Sequence, residues 1–380
     1  MNGRLQVLRR STSLLPLLAL TVTVVAFACL PAYAGRPLET YDLFNLFEAF
    51  AHIGLITLGF GLLLTAGEFD LSIVGIFALS GVIAVKLGQD HPLLGVLAAL
   101  SVCLAFGALQ GLLIAVLRIA SMPVTVGTYI ALLGLTRVVG DNQTSVTFDN
   151  LDTTLWIQEP VATIFSPRSL LVLAVFGLAA VLFSATRWGR ELRALGGDRK
   201  ATRTAGVPVN RRLVALFAVS SLLGGVAGAL SSFNAGAAIT DPGSAPLTLG
   251  AAGALIGGVA VAGGRGNVLG IFAGAMSIVI LGQIFFVAGV EEFYSDLVFG
   301  MVLLLIVAIN APSAKDWAVR LRAARHPPVS TSSSSTGPRP TTRKQRQDAR
   351  THAAATAHPP AHPPPSRGGV PGQPDHLPDR

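Results

Sequence analysis

The chain has 380 residues, 51% of them hydrophobic and 13% charged, with a formal net charge of +8 and a mean hydropathy of +0.61. Charge at that level is about half the roughly 25% usual in soluble domains, which excludes a soluble enzyme and a wholly disordered chain alike. The 41 glycines and 7% aromatics point instead to membrane helices packed through small residues, where close backbone approach replaces hydrophobic driving force.

A bilayer core about 30 Å thick takes about 20 apolar residues per helix. Ten such runs are predicted, at residues 13–33, 52–66, 71–87, 93–117, 123–139, 170–185, 213–233, 247–262, 267–288 and 294–309. The expected fold is all-α, a polytopic membrane bundle of about ten transmembrane helices over residues 13–310. The second, third and fifth runs are short, Gly-broken or interrupted by polar residues. The first follows Arg9 and Arg10 and ends in Ala32-Tyr33-Ala34, the pattern of a cleaved signal peptide; its length favours a retained helix. Cys29 and Cys103 lie in apolar runs and offer no disulfide framework or Cys-rich metal site.

Positive charge stays on the cytoplasmic side of a membrane. Within the loop 186–212, the stretch from Trp188 to Arg212 carries Arg190, Arg193, Arg199, Lys200, Arg203, Arg211 and Arg212 against Glu191 and Asp198, so the loop is expected inside. The stretch 140–167 carries Asp141, Asp149, Asp152 and Glu159 without Lys or Arg, so it is expected outside. Counting runs between them puts residues 1–12, with Arg4, Arg9 and Arg10, in the cytoplasm, and returns the C-terminal tail there as well. That tail, residues 311–380, has eleven Lys/Arg against four Asp/Glu, a net of +7 that leaves +1 on residues 1–310. It also holds more than half of the 23 prolines, a serine run at 332–335 and five of the seven histidines. Such a composition buries no core, and a disordered basic cytoplasmic extension is expected, with no specific nucleic-acid partner and no metal site.

The apolar runs lack what other transporter classes need. Ion-coupled carriers keep ionisable relay residues within their helices, and the fourth, sixth, seventh and ninth runs carry no Asp, Glu, Lys, Arg or His. Gln110 and Gln283 read as interhelical polar contacts, Lys86 and Arg137 as side chains snorkelling from span ends. A P-loop needs glycine directly before its lysine, and none of Lys86, Lys200, Lys315 and Lys344 follows one. Neither an HExxH nor a G-x-S-x-G element is present, so no catalytic residue is assigned.

Three polar or Gly-rich islands sit at run boundaries. In the first, Gly67, Glu68, Asp70, Leu71 and Ser72, Asp70 is placed to N-cap the next helix, both acids favouring its positive end. In the second, Gly196 and Gly197 form a turn, Asp198 caps a short helix over residues 200–205 (with Arg199, Ala201 and Ala205 in the segment), and Gly206 with Pro208 ends it. So defined a stop exceeds what membrane retention requires and points to protein docking. In the third, Gly257, Gly258, Gly263, Gly264, Arg265, Gly266 and Gly270 permit a tight cytoplasmic turn between closely packed helices.

In this order and spacing the islands resemble the permease family of ribose-type (simple-sugar) ABC importers. Residues 67–72 are similar to its Gly-x-x-Asp-Leu-Ser segment, 196–207 to its Gly-Gly-Asn-x-x-Ala-x-x-x-x-Gly-Val/Ile segment, and 257–270 to its Gly-Gly…Gly-Gly-Arg-Gly-Ser/Thr-x-x-Gly segment, over roughly residues 50–310. Asp198 replaces the usual Asn, Asn267 the usual Ser or Thr, and Gln110 stands where Asn is common. The resemblance implies a multi-pass subunit of a bacterial plasma (inner) membrane with no cofactor of its own, ATP and Mg being held by a cytoplasmic ABC ATPase partner. It further implies an extracytoplasmic solute-binding protein, a second permease copy as homodimer or heterodimer, and surrounding membrane lipid. Residues 196–206 resemble the ATPase-coupling segment, and 67–72 the pathway or gate motif. An ion-coupled secondary transporter and a non-transporting scaffold are the alternatives.

Overall fold

The computed structural model describes residues 2–29 and 37–310; the expected disordered tail at 311–380 and the Ala32-Tyr33-Ala34 stretch lie outside them. In chain order the described elements are α1 (Asn2–Ala28), α2 (Thr40–Thr65), α3 (Ile73–Leu87), α4 (Pro92–Leu117), α5 (Ser121–Val139), β1 (Ser145–Thr147), α6 (Leu151–Gln158), α7 (Pro167–Ala185), α8 (Arg187–Gly197), α9 (Arg199–Thr204), α10 (Val209–Ala235), β2 (Ala237–Ile239), α11 (Ala245–Ile256), α12 (Val268–Val287) and α13 (Glu292–Asn310). Each predicted apolar run contains a helix among the described residues. Six helices, α2, α4, α5, α7, α10 and α12, are long and apolar enough to cross a membrane, and shorter apolar helical segments occupy Leu15–Ala28, Ile73–Leu87, Ala245–Ile256 and Phe293–Ala308. The chain is a multi-pass helical membrane protein.

Three expectations need correction. The helix predicted from residue 52 begins at Thr40, because Asp42, Asn45 and Glu48 interrupt the apolar run without interrupting the helix. Asp42 stabilises its first turn by accepting the Glu39 N–H at 2.9 Å. The run predicted to 262 stops as α11 at Ile256, where Gly258 takes φ +77, a conformation that costs a side chain with Cβ about 1–2 kcal/mol. The fold is also not wholly α-helical: β1 and β2 pair antiparallel, with Ser145 opposite Ile239 and Thr147 opposite Ala237.

The core forms around α10, which packs against α2, α3 and α4. Residues 73–85 of α3 are all buried, the mark of a helix apolar on every side and enclosed by others. A Cβ at Gly228 of α10 would lie 2.1 Å from the Phe77 carbonyl oxygen of α3, so only glycine allows this approach. Helices α4, α7 and α13 instead expose large apolar side chains such as Leu93, Val181 and Leu304, as a lipid-solvated surface does.

Lys86 and Arg137, expected to snorkel, each find an acid near the β-ribbon: Lys86 Nζ lies 2.6 Å from Asp141 Oδ2, and Arg137 3.4 Å from Asp241 Oδ2. Both pairs are exposed and contribute at most about 1 kcal/mol each. Gln283 is buried in α12 with Nε2 unpartnered among the described residues. Cys103 is buried in α4, whereas Cys29 sits exposed just past α1.

Candidate functional site

The basic loop folds into two helices in place of one. Thr186 caps α8 by accepting the Trp188 N–H at 3.2 Å, and the helix runs through Gly196 and Gly197. The expected turn at these glycines is therefore displaced by one residue, to Asp198. Its carboxylate accepts the N–H groups of Lys200 at 2.8 Å and Ala201 at 2.9 Å, the capping role expected of it. The chain leaves α9 through Gly206 at φ +83. Glu191 Oε2 lies 2.5 Å from Arg212 Nε, joining α8 to the start of α10, and the Arg193 guanidinium lies 4.6 Å from the centre of the Phe183 ring, a cation–π contact. Gly197, Asp198, Arg199, Ala201, Ala205 and Gly206 all remain exposed, with Thr202 alone of α9 buried.

The three sequence islands meet at one junction beside α8. The Gly264 N–H donates to the Thr65 carbonyl oxygen at 2.8 Å, and a Cβ at Gly196 would fall 2.1 Å from that oxygen and 2.4 Å from the Gly264 nitrogen. A Cβ at Gly263 would fall 2.7 Å from the Gly67 Cα and 3.0 Å from the Gly196 oxygen. Backbones of three segments far apart in the sequence thus touch with no side chain between them. The third island divides: Gly263, Gly264 and Gly266 enter this junction, with Arg265 exposed beside them, while Gly257 and Gly270 bring α11 against α12, a Cβ at Gly257 lying 2.6 Å from the Gly270 oxygen.

Within the linker 66–72 the two carboxylates serve opposite sides. Glu68, 3% exposed, forms an ion pair with Arg199 of α9. Burial, and then the like charge of Arg203, lower the Arg199 guanidinium from its ordinary pKa. Asp70 is fully buried and does not cap α3 as expected. Ser72 occupies the cap position without a side-chain cap bond, and Asp70 Oδ1 instead accepts the Ser72 N–H at 2.9 Å, the Ser72 hydroxyl at 2.5 Å and Gln110 Nε2 of α4 at 3.2 Å. The Ser220 hydroxyl of α10 donates to Asp70 Oδ2 at 3.4 Å. Leu71 is half-buried between them.

A cavity of about 400 Å³ opens here, lined by Glu68, Phe69, Ser121, Gly196 and Arg199 among others. Ser121 accepts the Phe69 N–H at 3.1 Å, which ties α5 to the same linker. Thr65, Ser121 and Ser220 were not singled out from the sequence, because each acts through a partner distant in the chain. A second ionic contact was missed as well: Arg168, 4% exposed at the start of α7, pairs with Glu48 of α2 at 2.5 Å, and the Ser166 hydroxyl donates to the same carboxylate.

The exposed, capped α9 is thus held to a linker inside a helical membrane bundle by the Arg199–Glu68 pair and, through α8, by the packing of Gly196, and the family match places this arrangement in a transport-system permease component. Residues 43–307 match the family described as the branched-chain amino acid transport system permease component, and the chain belongs to that family. It is 30% identical to the ribose import permease RbsC of Bacillus subtilis, over 78% of this chain and 91% of that one. It is also 28% identical to RbsC of Escherichia coli, over 71% and 85%, and 30% identical to the D-allose permease AlsC of Escherichia coli, over 77% and 89%. No solved structure matches the chain.

Proposed function

We propose that this chain is the membrane subunit of an ABC importer that carries a simple sugar or a similar small polar solute across a bacterial plasma membrane. Ten spans are assigned by adding the four shorter apolar helices to the six long ones, with both termini and the loop 186–212 cytoplasmic and the acidic stretch 140–167 outside. A cytoplasmic ATPase subunit, holding ATP and Mg, docks on the exposed residues of α9. An extracytoplasmic binding protein delivers solute at the opposite face, and a second permease copy completes the pathway. The observation that carries the reading is the junction of Thr65, Gly67, Gly196 and Gly264 with the Glu68–Arg199 pair, because it joins α8 by backbone packing, and the proposed docking helix α9 by an ion pair, to the membrane core. The family description names amino acids, but the relatives above carry sugar names, and these favour a sugar. Purification in mild detergent is expected to retain a P-loop ATPase, and reconstituted vesicles to take up sugar only when ATP is supplied.

One observation favours a second reading, an ion-coupled carrier: α2 carries Asp42, Glu48 and His52 within its length. Both side-chain oxygens of Glu48, however, are engaged, one by Arg168 and the other by the Ser166 hydroxyl, which favours a structural ion pair over a proton relay. Uptake abolished by an uncoupler while the ATPase is absent would establish the ion-coupled reading instead.

A further inference from the structure

A second cavity, about 210 Å³, lies among α2, α3 and α10 and is bounded by β2 and the start of α11. His52, Phe77, Ser231, Ser232 and Pro242 line it, and no Asp, Glu, Lys or Arg does. The cavity stands apart from the junction described above. His52 lies thirteen residues before Thr65 on α2, about 20 Å away at about 1.5 Å per residue, and Ala237 and Ile239 of the β-ribbon form part of its wall.

Its polar groups are arranged rather than scattered. His52 Nδ1 lies 2.7 Å from the Ser231 hydroxyl, which fixes the orientation of the imidazole and leaves Nε2 without a hydrogen-bond partner among the described residues. The Phe77 ring stands edge-on to the imidazole, with centroids 5.7 Å apart. A half-buried imidazole, a hydroxyl and an aromatic ring together offer hydrogen bonds to hydroxyls and an apolar surface to C–H groups. At about 30 Å³ per water, the volume displaces about seven waters, which suits one small solute and excludes an oligomer.

We infer that the cavity bounded by His52, Ser231 and Phe77 is a solute-contact site on the transport path, selective for an uncharged polyhydroxy solute over an amino acid. The inference rests on the permease reading and deepens it by naming the residues that touch the cargo. An amino acid brings an ammonium and a carboxylate, and a wall without a charged side chain leaves both desolvated and unpaired, an unfavourable transfer. A sugar carries no net charge, and His52, Ser231 and Ser232 offer donors and acceptors to some of its hydroxyls.

The test is uptake of labelled D-ribose, D-allose and L-leucine by cells carrying this chain with its own ATPase and binding protein, at saturating external solute. His52→Ala and Ser231→Ala, present in the membrane at wild-type amount, are expected to lower sugar uptake at least tenfold. His52→Gln, which keeps a donor and an acceptor, is expected to retain more uptake than His52→Ala and to change the ribose-to-allose ratio. If all three variants carry each sugar at the wild-type rate and ratio, the contact site is overturned while the permease reading stands. Wild-type cells that take up leucine and neither sugar would overturn the sugar reading itself, and the contact site with it.

Discussion

The close approach of α8 to the linker can be tested with one methyl group. In Gly196→Ala the new Cβ would lie 2.1 Å from the Thr65 carbonyl oxygen and 2.4 Å from the Gly264 nitrogen, the two atoms joined by the 2.8 Å hydrogen bond. Both are backbone atoms, so neither can rotate aside. Overpacking costs about 1–3 kcal/mol and loss of the hydrogen bond about 1 kcal/mol, so the junction weakens by about 2–4 kcal/mol. At about 1.4 kcal/mol per tenfold, its closed population shifts by about 30- to 700-fold. Gly197→Ala is the control, since nothing lies within 4 Å of its added Cβ, and its effect is expected to stay within about 0.5 kcal/mol. The assay is sugar uptake and ATP hydrolysis by the complex in vesicles, beside thermal unfolding in detergent. Gly196→Ala is expected to insert normally, because its apolar spans are untouched, while uptake falls more than tenfold and ATP hydrolysis persists. Wild-type uptake and stability in Gly196→Ala, or an equal loss in Gly197→Ala, would refute the reasoning.

Gly197→Trp places a large exposed side chain at the end of α8, two residues before the docking helix α9, and is expected to leave thermal stability unchanged while abolishing co-purification of the ATPase. Arg199→Ala leaves the 4%-exposed Glu68 side chain unpaired and is expected to destabilise more than Glu68→Gln. Because Arg199 is itself 45% exposed, the coupling measured by a double-mutant cycle is expected at about 1–3 kcal/mol, below that of a fully buried pair. Asp70→Asn puts an NH2 donor in place of one of the oxygens to which Ser72, Gln110 and Ser220 donate, at about 1–3 kcal/mol for a buried group left unsatisfied; unchanged unfolding temperature and unchanged uptake would discard its structural role. Truncation after Ala311 removes a segment whose composition buries no core and is expected to leave uptake at the wild-type level.

The helices were legible where apolar length alone decides them. The run predicted at 93–117 and the helix Pro92–Leu117 differ by one residue, because no charged residue interrupts the apolar stretch and Pro92 marks its start. Legibility failed where charge enters the bundle. The first half of α2 contains Asp42 and Glu48, which read as a break in a span until Arg168, 120 residues away, is seen to neutralise Glu48. Hydropathy adds single-residue transfer terms and cannot represent a charge compensated by a partner distant in sequence.

The site was legible as islands but not as a junction. Local pattern identified Asp198 as a cap because its partners, Lys200 and Ala201, are two and three residues away. It misassigned Asp70 by the same logic, since the donors that matter belong partly to α4 and α10. The meeting of Gly67, Gly196 and Gly264 has no local signal beyond the glycines themselves, yet it determines what the proposed docking helix can move. A side chain between α8 and the linker could absorb a displacement by changing rotamer. Backbone packed on backbone cannot, because close-packed interiors have few voids into which to yield. Displacement of α8 and α9 together by a closing ATPase groove would therefore pass into residues 66–72 at Gly67, where Gly196 of α8 packs backbone on backbone. From there Asp70 carries it to α4 and α10, the helices that also wall the interior of the bundle, as a rigid-body switch requires.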